Sequence, residues 1–379
     1  MTSEIGQLGG AVQCIASREG LYYCIDVLRE NIAPAMDILA DTILNPTLSD
    51  DEIEECKEII VLQQTELPTD MFSKDAVMIA AYKGSPMGNT HYCPNDDIAA
   101  INRTMLHDYR KKHFVGGNSL VTAAGIEHDV FLDLVDKKFK NYPSGEKSTI
   151  KGTVFVGGMH AEQRILKEPV IQVAMAFEVG GFSDPMLVPA SVLQQLLGGG
   201  SSFSAGGPGK GMYTRLYREE LNRNMWLESA EAFMAVGNDC GLFGIDASCN
   251  PEYAPNLVRM IVAQLIKAAY VPVSQEELGR AKKMLKSRMM MQLESRIVVC
   301  EDLARQYGAY GFREDPASIC EKVDSVTEAD LMAVAQRLLL TPPAVGCVGH
   351  DISKMPSYEQ ILDFTTRARA EAAKKTMIF

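Results

Sequence analysis

Apolar and polar positions follow two different periods along the second half of the chain. Runs with strand-like character lie near 170–177, 226–236, 242–249 and 344–349. Segments with the helical period lie between them, at 185–197, 213–223, 252–270, 275–310, 315–322 and 327–340. Strands and helices in this order predict an α+β fold, in which a largely antiparallel sheet is covered by helices.

The first half of the chain repeats this pattern at one constant offset, which is the separation between Ser49 and Ser274. Ser49 is followed by acidic residues as at a helix start, and Ser274 has a similar setting. The apolar run 119–124 corresponds in the same way to 344–349, so a strand is predicted there too. Landmarks that share one offset over such a length predict two homologous domains.

The duplication divides the chain into an N-terminal α+β domain at 1–150, a linker at 151–165 and a C-terminal α+β domain at 166–379. Subtracting the offset from the strand, helix and loop of 170–225 leads to positions before residue 1. We therefore expect the first domain to be incomplete and the chain to be truncated at its N-terminus. Unpaired strand edges and exposed apolar surface would then make the chain alone poorly stable.

The charge of the chain restricts the classes of partner. Hydrophobic residues make up 46% and charged residues 23% of the sequence, which is typical of a globular protein, and no apolar run is long enough to predict a membrane-spanning helix. A net charge of -12 argues against nucleic acid as a partner. Residues 1–100 hold 17 acidic against 5 basic side chains. This local excess predicts either solvated helix faces or a field that attracts basic peptides, and composition does not separate the two.

Metal, disulfide and nucleotide chemistry find little support in the sequence. The nine cysteines include no C-x-x-C pair, which favours a reducing compartment, and the six histidines form no H-x-x-E-H or H-E-x-x-H motif. The stretch 206–211 superficially resembles a phosphate-binding loop, but Gly211 stands where that motif requires Ser or Thr. No metal or nucleotide site is therefore predicted.

A glycine-rich segment at 198–211 is the strongest candidate for a binding site. Seven of its fourteen residues are glycine, far more than a helix connector needs. Long glycine-rich loops inside compact domains are often binding loops, although a neutral connector remains the alternative. The predicted substrate-binding residues are Gly198, Gly199, Gly200, Ser201, Ser202, Phe203, Ser204, Ala205, Gly206, Gly207, Pro208, Gly209, Lys210 and Gly211.

The glycine-rich segment and the Tyr-Thr-Arg-Leu-Tyr run that follows it at 213–217 resemble the signature of the alpha subunits of mitochondrial processing peptidases. These belong to the wider pitrilysin-type metallopeptidase family. The stretches 290–296, 301–306, 93–94 and 101–103 are similar to those subunits as well. The duplicated α+β fold is what this resemblance implies.

The resemblance also implies a non-catalytic role. In the family's catalytic subunit, two glutamates seven residues apart on one helix serve the metal site, and here Cys56 and Gln63 replace these acidic positions. The resemblance therefore implies no catalytic residue, no metal ligand and no cofactor in this chain, and zinc in a partner beta subunit. It further implies a heterodimer in the mitochondrial matrix, or associated with the inner membrane, that binds basic amphipathic presequences of imported precursors and presents them to the beta subunit.

Two other readings stay open at this point. The chain resembles, in its fold, the core subunits of the respiratory ubiquinol-cytochrome c reductase, so a structural subunit of that complex is the alternative, with respiratory complex subunits as its partners. A mobile glycine-rich loop favours the peptidase subunit, because a structural subunit has no need of one. An active zinc peptidase would require a metal-binding motif that the sequence lacks.

Overall fold

The structure is a computed structural model that describes residues 1–149, 151–166, 168–202 and 212–376. Its helices are α1 (Thr2–Gln7), α2 (Ile32–Leu44), α3 (Asp50–Glu66), α4 (Thr69–Ala81), α5 (Asn95–Ala100), α6 (Arg103–His113), α7 (His128–Lys138), α8 (Leu187–Leu197), α9 (Ala254–Tyr270), α10 (Gln275–Gln292), α11 (Arg296–Tyr310), α12 (Pro316–Ser325), α13 (Glu328–Leu338) and α14 (Tyr358–Thr376). Its strands are β1 (Ala11–Ala16), β2 (Leu21–Asp26), β3 (Gly158–Gln163), β4 (Ile171–Val179), β5 (Gly199–Ser201), β6 (Leu227–Val236), β7 (Gly241–Cys249) and β8 (Ala344–Gly349).

The chain forms two compact units, and each draws on both halves of the sequence. The first unit consists of 1–66, 91–150 and 289–314, and the second of 67–90, 151–288 and 315–379. The units therefore do not follow the linear division at 1–150, 151–165 and 166–379, which stays a prediction about homologous domains. The stretch 151–165 also carries β3, the edge strand of the larger sheet.

The second unit is built on a sheet that has six strands within the described residues, in the order β3-β8-β4-β7-β6-β5. The β3–β8 pair is parallel and the other pairs are antiparallel. Side chains of β4 alternate between two hydrophobic clusters. Val173, Met175 and Phe177 face the cluster formed with α8, α9 and α13, whereas Ala174 and Ala176 face α4. Successive side chains of a strand point to opposite faces of the sheet, and both faces of β4 are buried. The sheet thus has a helical layer on each face.

Small residues let α4 approach the sheet closely. Ala174, Ala176 and Ala344 face this helix, and a Cβ added to Gly346 would overlap the backbone of α4 at Ser73 and Val77. Since only glycine has no Cβ, it permits this spacing. The same contact explains why α4 belongs to the second unit although its sequence lies in the first half.

The first unit has a smaller core. Its strands β1 and β2 pair antiparallel, with Ala11 opposite Asp26, and its buried apolar side chains are Ile5, Ala35, Met36, Ala40, Ile53 and Ile98. The strand predicted at 119–124 is wrong, because the structure has no ladder there. Instead the Thr122 hydroxyl lies 3.3 Å from the Cys300 carbonyl oxygen, on α11. A strand forms only beside another strand, and no described strand lies along this segment.

The internal repeat is visible in the order of the helices. At the offset that relates Ser49 to Ser274, α6 corresponds to α13 at both ends, and α2, α3 and α5 correspond to α9, α10 and α12. Helix α4 corresponds to α11, and these two are the exchanged pair: α4 lies in the second unit and α11 in the first. The duplication therefore includes a reciprocal exchange of one helix.

Two helices predicted from the sequence are shorter than expected. The helix predicted at 275–310 is divided at 293–295, so that α10 and α11 are separate helices. The helix predicted at 213–223 is a π-helical turn at Leu216–Leu221. No single helix in the described part of the chain has both the length and the hydrophobicity to cross a membrane; Pro251–Tyr270 and Gln275–Gln292 meet both criteria only as a pair, with a bend of 108° between them.

Candidate functional site

The structure describes the first five residues of the predicted binding loop, from Gly198 to Ser202. The remaining predicted residues lie outside the described part of the chain; they are Phe203, Ser204, Ala205, Gly206, Gly207, Pro208, Gly209, Lys210 and Gly211. Their role as binding residues stays a prediction. What can be analysed is the base of the loop, where the chain leaves the second unit and returns to it.

Three consecutive glycines set the direction in which the loop starts. Gly198 ends α8 with φ 54°, and Gly199 and Gly200 have φ of 110° and 156°. Residues other than glycine rarely adopt φ values in this region. A Cβ on Gly198 would also overlap the Thr214 side chain, and one on Gly199 would overlap the Ala230 carbonyl. The glycines are therefore required by backbone geometry at the base of the loop.

Hydrogen bonds fasten the start of the loop to the sheet and to the returning chain. Strand β5 pairs with β6, and the Ser202 amide donates to the Glu228 carbonyl at 2.8 Å. The Gly199 amide donates to the Thr214 hydroxyl at 3.1 Å, and the Tyr217 hydroxyl donates to the Ser201 carbonyl at 3.0 Å. Departing and returning segments are thus held together, so the loop emerges from a fixed base.

The returning segment passes from exposed to buried within a few residues. Tyr213 is 70% exposed, whereas Thr214, Arg215, Leu216 and Tyr217 are buried. The buried Arg215 side chain donates from Nη2 to the Glu277 carboxylate at 3.3 Å, and its Nε and Nη1 have no hydrogen-bond partner among the described residues. The sequence analysis did not single out Arg215; the signal was a charged residue between Thr214 and Leu216 in a run that begins and ends with tyrosine.

The buried arginine is balanced by carboxylates. Burial opposes ionisation of Glu277, but the hydrogen bond from Arg215 and its positive charge outweigh burial and lower the pKa of Glu277. The pKa of Glu219 is lowered as well, since the bonds from Lys267 and Gln264 and the charges of Lys267 and Arg215 outweigh its burial. Both carboxylates therefore stay ionised and fix the segment that returns from the loop.

Acidic side chains lie next to the base of the loop on β6. Glu231 is exposed and pairs in register with Gly199, and Glu228 is two residues before Ala230, the partner of Gly200. Partial burial, with a contribution from Glu168, raises the pKa of Glu228. The strand next to the base of the loop, β6, thus presents negative charge, which suits a basic ligand better than an acidic one.

The two altered family positions lie on α3, in the first unit. Cys56 and Gln63 are both exposed, and their spacing of two helical turns places them on the same side of the helix. Within the described ranges, no group of three or more His, Cys, Asp or Glu side chains is arranged to hold a metal ion. The residues at these positions thus do not form a metal site with the described residues around them.

Comparison with known proteins identifies the two parts of the chain. Residues 1–95 match the family model described as insulinase (peptidase family M16), and residues 100–285 match the peptidase M16 inactive domain. A chain in the structure of complex III2 from Candida albicans, with Inz-5 bound, has a TM-score of 0.80 at 17% identity and covers 96% of this chain and 88% of its own. The prediction of an α+β fold with two homologous, largely antiparallel domains is confirmed.

Curated relatives carry the comparison to the level of the family. The mitochondrial-processing peptidase subunit alpha of Solanum tuberosum is 34% identical over 94% of this chain and 71% of its own length. The human subunit alpha is 31% identical over 93% and 70%, and the probable subunit alpha of Schizosaccharomyces pombe is 32% identical over 89% and 70%. The chain therefore belongs to the peptidase M16 family, within the group formed by the mitochondrial-processing peptidase alpha subunits.

Proposed function

We propose that this chain is the non-catalytic, substrate-recognition subunit of a mitochondrial processing peptidase. It binds the presequences of imported precursors and presents them to a beta subunit that holds the zinc ion. The observation that carries the proposal is 34% identity over 94% of the chain to a subunit named alpha of that peptidase. The match of the central region to an inactive peptidase domain supports a role without catalysis by this chain.

The geometry of the loop base supports a role in binding. Gly198 to Gly200 lead the chain from α8 into β5, and the hydrogen bonds from the Gly199 amide to Thr214 and from the Tyr217 hydroxyl to the Ser201 carbonyl join the two ends of the loop. A fixed base with a glycine-rich segment between its ends is the arrangement of a binding loop rather than of a short connector. Presequences are basic amphipathic segments, and the acidic residues of β6 offer charge complementarity.

The test is cleavage of a presequence-bearing precursor by this chain alone, by a zinc-bearing beta subunit alone and by the mixture. We expect activity in the mixture only. A variant with 203–211 replaced by a short serine linker should still co-purify with the beta subunit but lose precursor binding. Equal cleavage by the beta subunit with and without this chain would refute the proposal, and unchanged binding by the linker variant would refute the role of the loop.

A structural subunit of the respiratory ubiquinol-cytochrome c reductase is the second candidate. The observation that favours it is the TM-score of 0.80 to a chain of a complex III2 structure. The candidates are separated by size fractionation of solubilised mitochondrial membranes. A processing-peptidase subunit in the matrix fractionates as a heterodimer with the beta subunit, whereas a core subunit migrates with the inner-membrane respiratory complex.

A further inference from the structure

Helix α3 is long, acidic and poorly covered. Among its 17 residues, Ile53 is the buried side chain. Three large apolar side chains are well exposed, Ile59 at 44%, Ile60 at 41% and Leu62 at 63%. Exposed apolar side chains that lie together on one helix face indicate a surface for a partner, since burying them would be favourable.

Two of these residues, Ile59 and Leu62, belong to a regular stripe, whereas Ile60 lies outside it. Glu55, Ile59, Leu62 and Glu66 are spaced by four, three and four residues, so they lie one above the other on a single face. Glu58 lies on the border of that face, one turn before Leu62. We call these five residues the α3 stripe. It has an apolar centre with carboxylates at both ends and along one side.

Within the described ranges, no neighbouring cation neutralises the carboxylates of the α3 stripe. Lys57, the one basic residue in the helix sequence, bonds to Glu54 at 2.7 Å and to the Ala99 carbonyl at 3.2 Å. Among the described residues no ion pair involves Glu55, Glu58 or Glu66. The stripe therefore combines unpartnered negative charge with exposed apolar surface.

The charge is specific to this helix and is not a property of its position in the repeat. In the homologous α10, Arg280 stands at the position that corresponds to Glu55. Lys283 stands in the same way at the position that corresponds to Glu58. The same helical position therefore carries opposite charge in the two copies of the repeat. A solvated helix face needs charge of either sign, whereas a recognition surface needs one sign.

We propose that the α3 stripe is a docking site for a basic amphipathic helical segment of a substrate polypeptide. This inference rests on the proposed function and assigns a second contact surface to it, outside the glycine-rich loop. The apolar face of the segment covers Ile59 and Leu62, and lysine or arginine side chains flanking that face pair with Glu55, Glu58 and Glu66. A second copy of α3 does not fit, because two such acidic faces repel each other.

The test measures fluorescence anisotropy of a labelled, cationic amphipathic 18-residue peptide on the full chain. Ile59→Ser with Leu62→Ser should weaken binding by about tenfold, since two partly buried apolar contacts are lost. Glu55→Gln with Glu58→Gln and Glu66→Gln should weaken it by about threefold at low salt, and the loss should shrink at high salt. Both sets are exposed, so circular dichroism should show an unchanged fold.

Met290→Ser with Met291→Ser on α10 is the matched control. These side chains are 40% and 66% exposed, close to the values for Ile59 and Leu62, but they lie on a helix without the acidic stripe. The control should bind the peptide like the wild type. A peptide of the same composition, reordered so that apolar and basic residues no longer form separate faces, should bind the wild type much more weakly.

Different outcomes separate this inference from the proposed function. If the mixture with the beta subunit cleaves a precursor and the substitutions in the α3 stripe change neither peptide affinity nor KM, the inference is overturned and the proposed function stands. Loss of beta-subunit binding with unchanged peptide affinity also overturns it, because the stripe is then a subunit interface. If the wild type binds no peptide and the mixture cleaves no precursor, both fail.

Discussion

Ser73 and Asp246 are 173 positions apart in the sequence and joined by a hydrogen bond of 2.7 Å, in which the Ser73 hydroxyl donates to the carboxylate. Ser73 lies on α4 and Asp246 on β7, so the bond joins the helix from the first half of the chain to the sheet of the second unit. The Gln172 amide donates to the other carboxylate oxygen at 2.5 Å. A buried carboxyl group is thus part of the contact that holds the exchanged helix.

Replacing Asp246 by Asn should raise stability at neutral and higher pH. Burial raises the pKa of Asp246 to about 7, despite opposing contributions from Ser73, Lys74 and Gln172. With a folded pKa above the unfolded value, the wild type loses stability as pH rises from about 4 to about 7, by up to about 4 kcal/mol, and changes no further above that. The variant lacks this loss. Thermal melts of both proteins between pH 4.5 and 8.5 measure the difference.

The gap in melting temperature between Asp246→Asn and the wild type is the quantity to follow. Other acids affect the stability of both proteins equally, so their contributions cancel in this difference. One of them is Asp184, whose pKa is lowered because hydrogen bonds from Arg337 and backbone amides outweigh its burial. The gap should widen towards pH 7 and then stay constant. A gap that narrows as pH rises would contradict the assignment.

Replacing Glu277 by Gln should destabilise the second unit by about 2 kcal/mol. The change leaves the buried Arg215 without its hydrogen-bonded counter-ion, and loss of one member of a buried pair is costly. This destabilisation is smaller than the one expected for a fully buried ion pair because Glu277 is 21% exposed. The negative charge of Glu219 also interacts with Arg215. Urea unfolding measures the change. Arg215→Met, which removes the buried charge itself, should cost less; the reverse order would argue against a charge-based role.

Replacing Gly199 by Ala should impair substrate binding through the base of the loop. The new Cβ would overlap the Ala230 carbonyl oxygen, and the alanine would have to adopt the φ of 110° that Gly199 has. This strain costs about 1–3 kcal/mol and displaces β5. We expect a higher KM for precursor cleavage in the mixture with the beta subunit. Gly279→Ala is the control, since this glycine lies inside α10 with open space around it, and alanine there should stabilise the helix by about 0.5–1 kcal/mol. Equal KM values for the two variants would count against the loop base.

Replacing Val77 by Ala should destabilise the second unit, although Val77 lies in the first half of the sequence. The side chain is fully buried in the cluster that α4 forms with the sheet, so its truncation should cost about 2 kcal/mol. Hydrogen exchange should accelerate in β4 and β8 and remain unchanged in β1 and α3. Met71→Ala, a change at a 43% exposed position of the same helix, should have little effect. Faster hydrogen exchange confined to the first unit would contradict the assignment of α4 to the second unit.

The sequence specified the local elements well because their signals are local. The strand predicted at 344–349 agrees with β8 at both ends, and the helix predicted at 327–340 agrees with α13 within two residues. The internal repeat could likewise be read from landmarks such as Ser49 and Ser274. The strand predicted at 119–124 failed because a strand depends on a neighbouring strand, and hydrophobic periodicity does not report whether one is present.

Long-range packing was the part that the sequence could not specify. Helical periodicity shows that α4 has an apolar face, but not which sheet that face covers, so the exchange with α11 was not predicted. The glycine-rich segment was identified as a candidate site by composition alone. Its ties to Thr214 and Tyr217, and the buried pair of Arg215 with Glu277, depend on contacts that form only in the folded chain.

The exchange of α4 and α11 constrains the order in which the protein can fold during synthesis. The first unit includes 289–314, so it stays incomplete on the ribosome until most of the chain has been made. Helix α4 is synthesised early, yet its packing partners β4 and β8 follow about 100 and 270 residues later. Its apolar face therefore stays uncovered until both strands have been made, so the packing of α4 is completed only when nearly the whole chain is present.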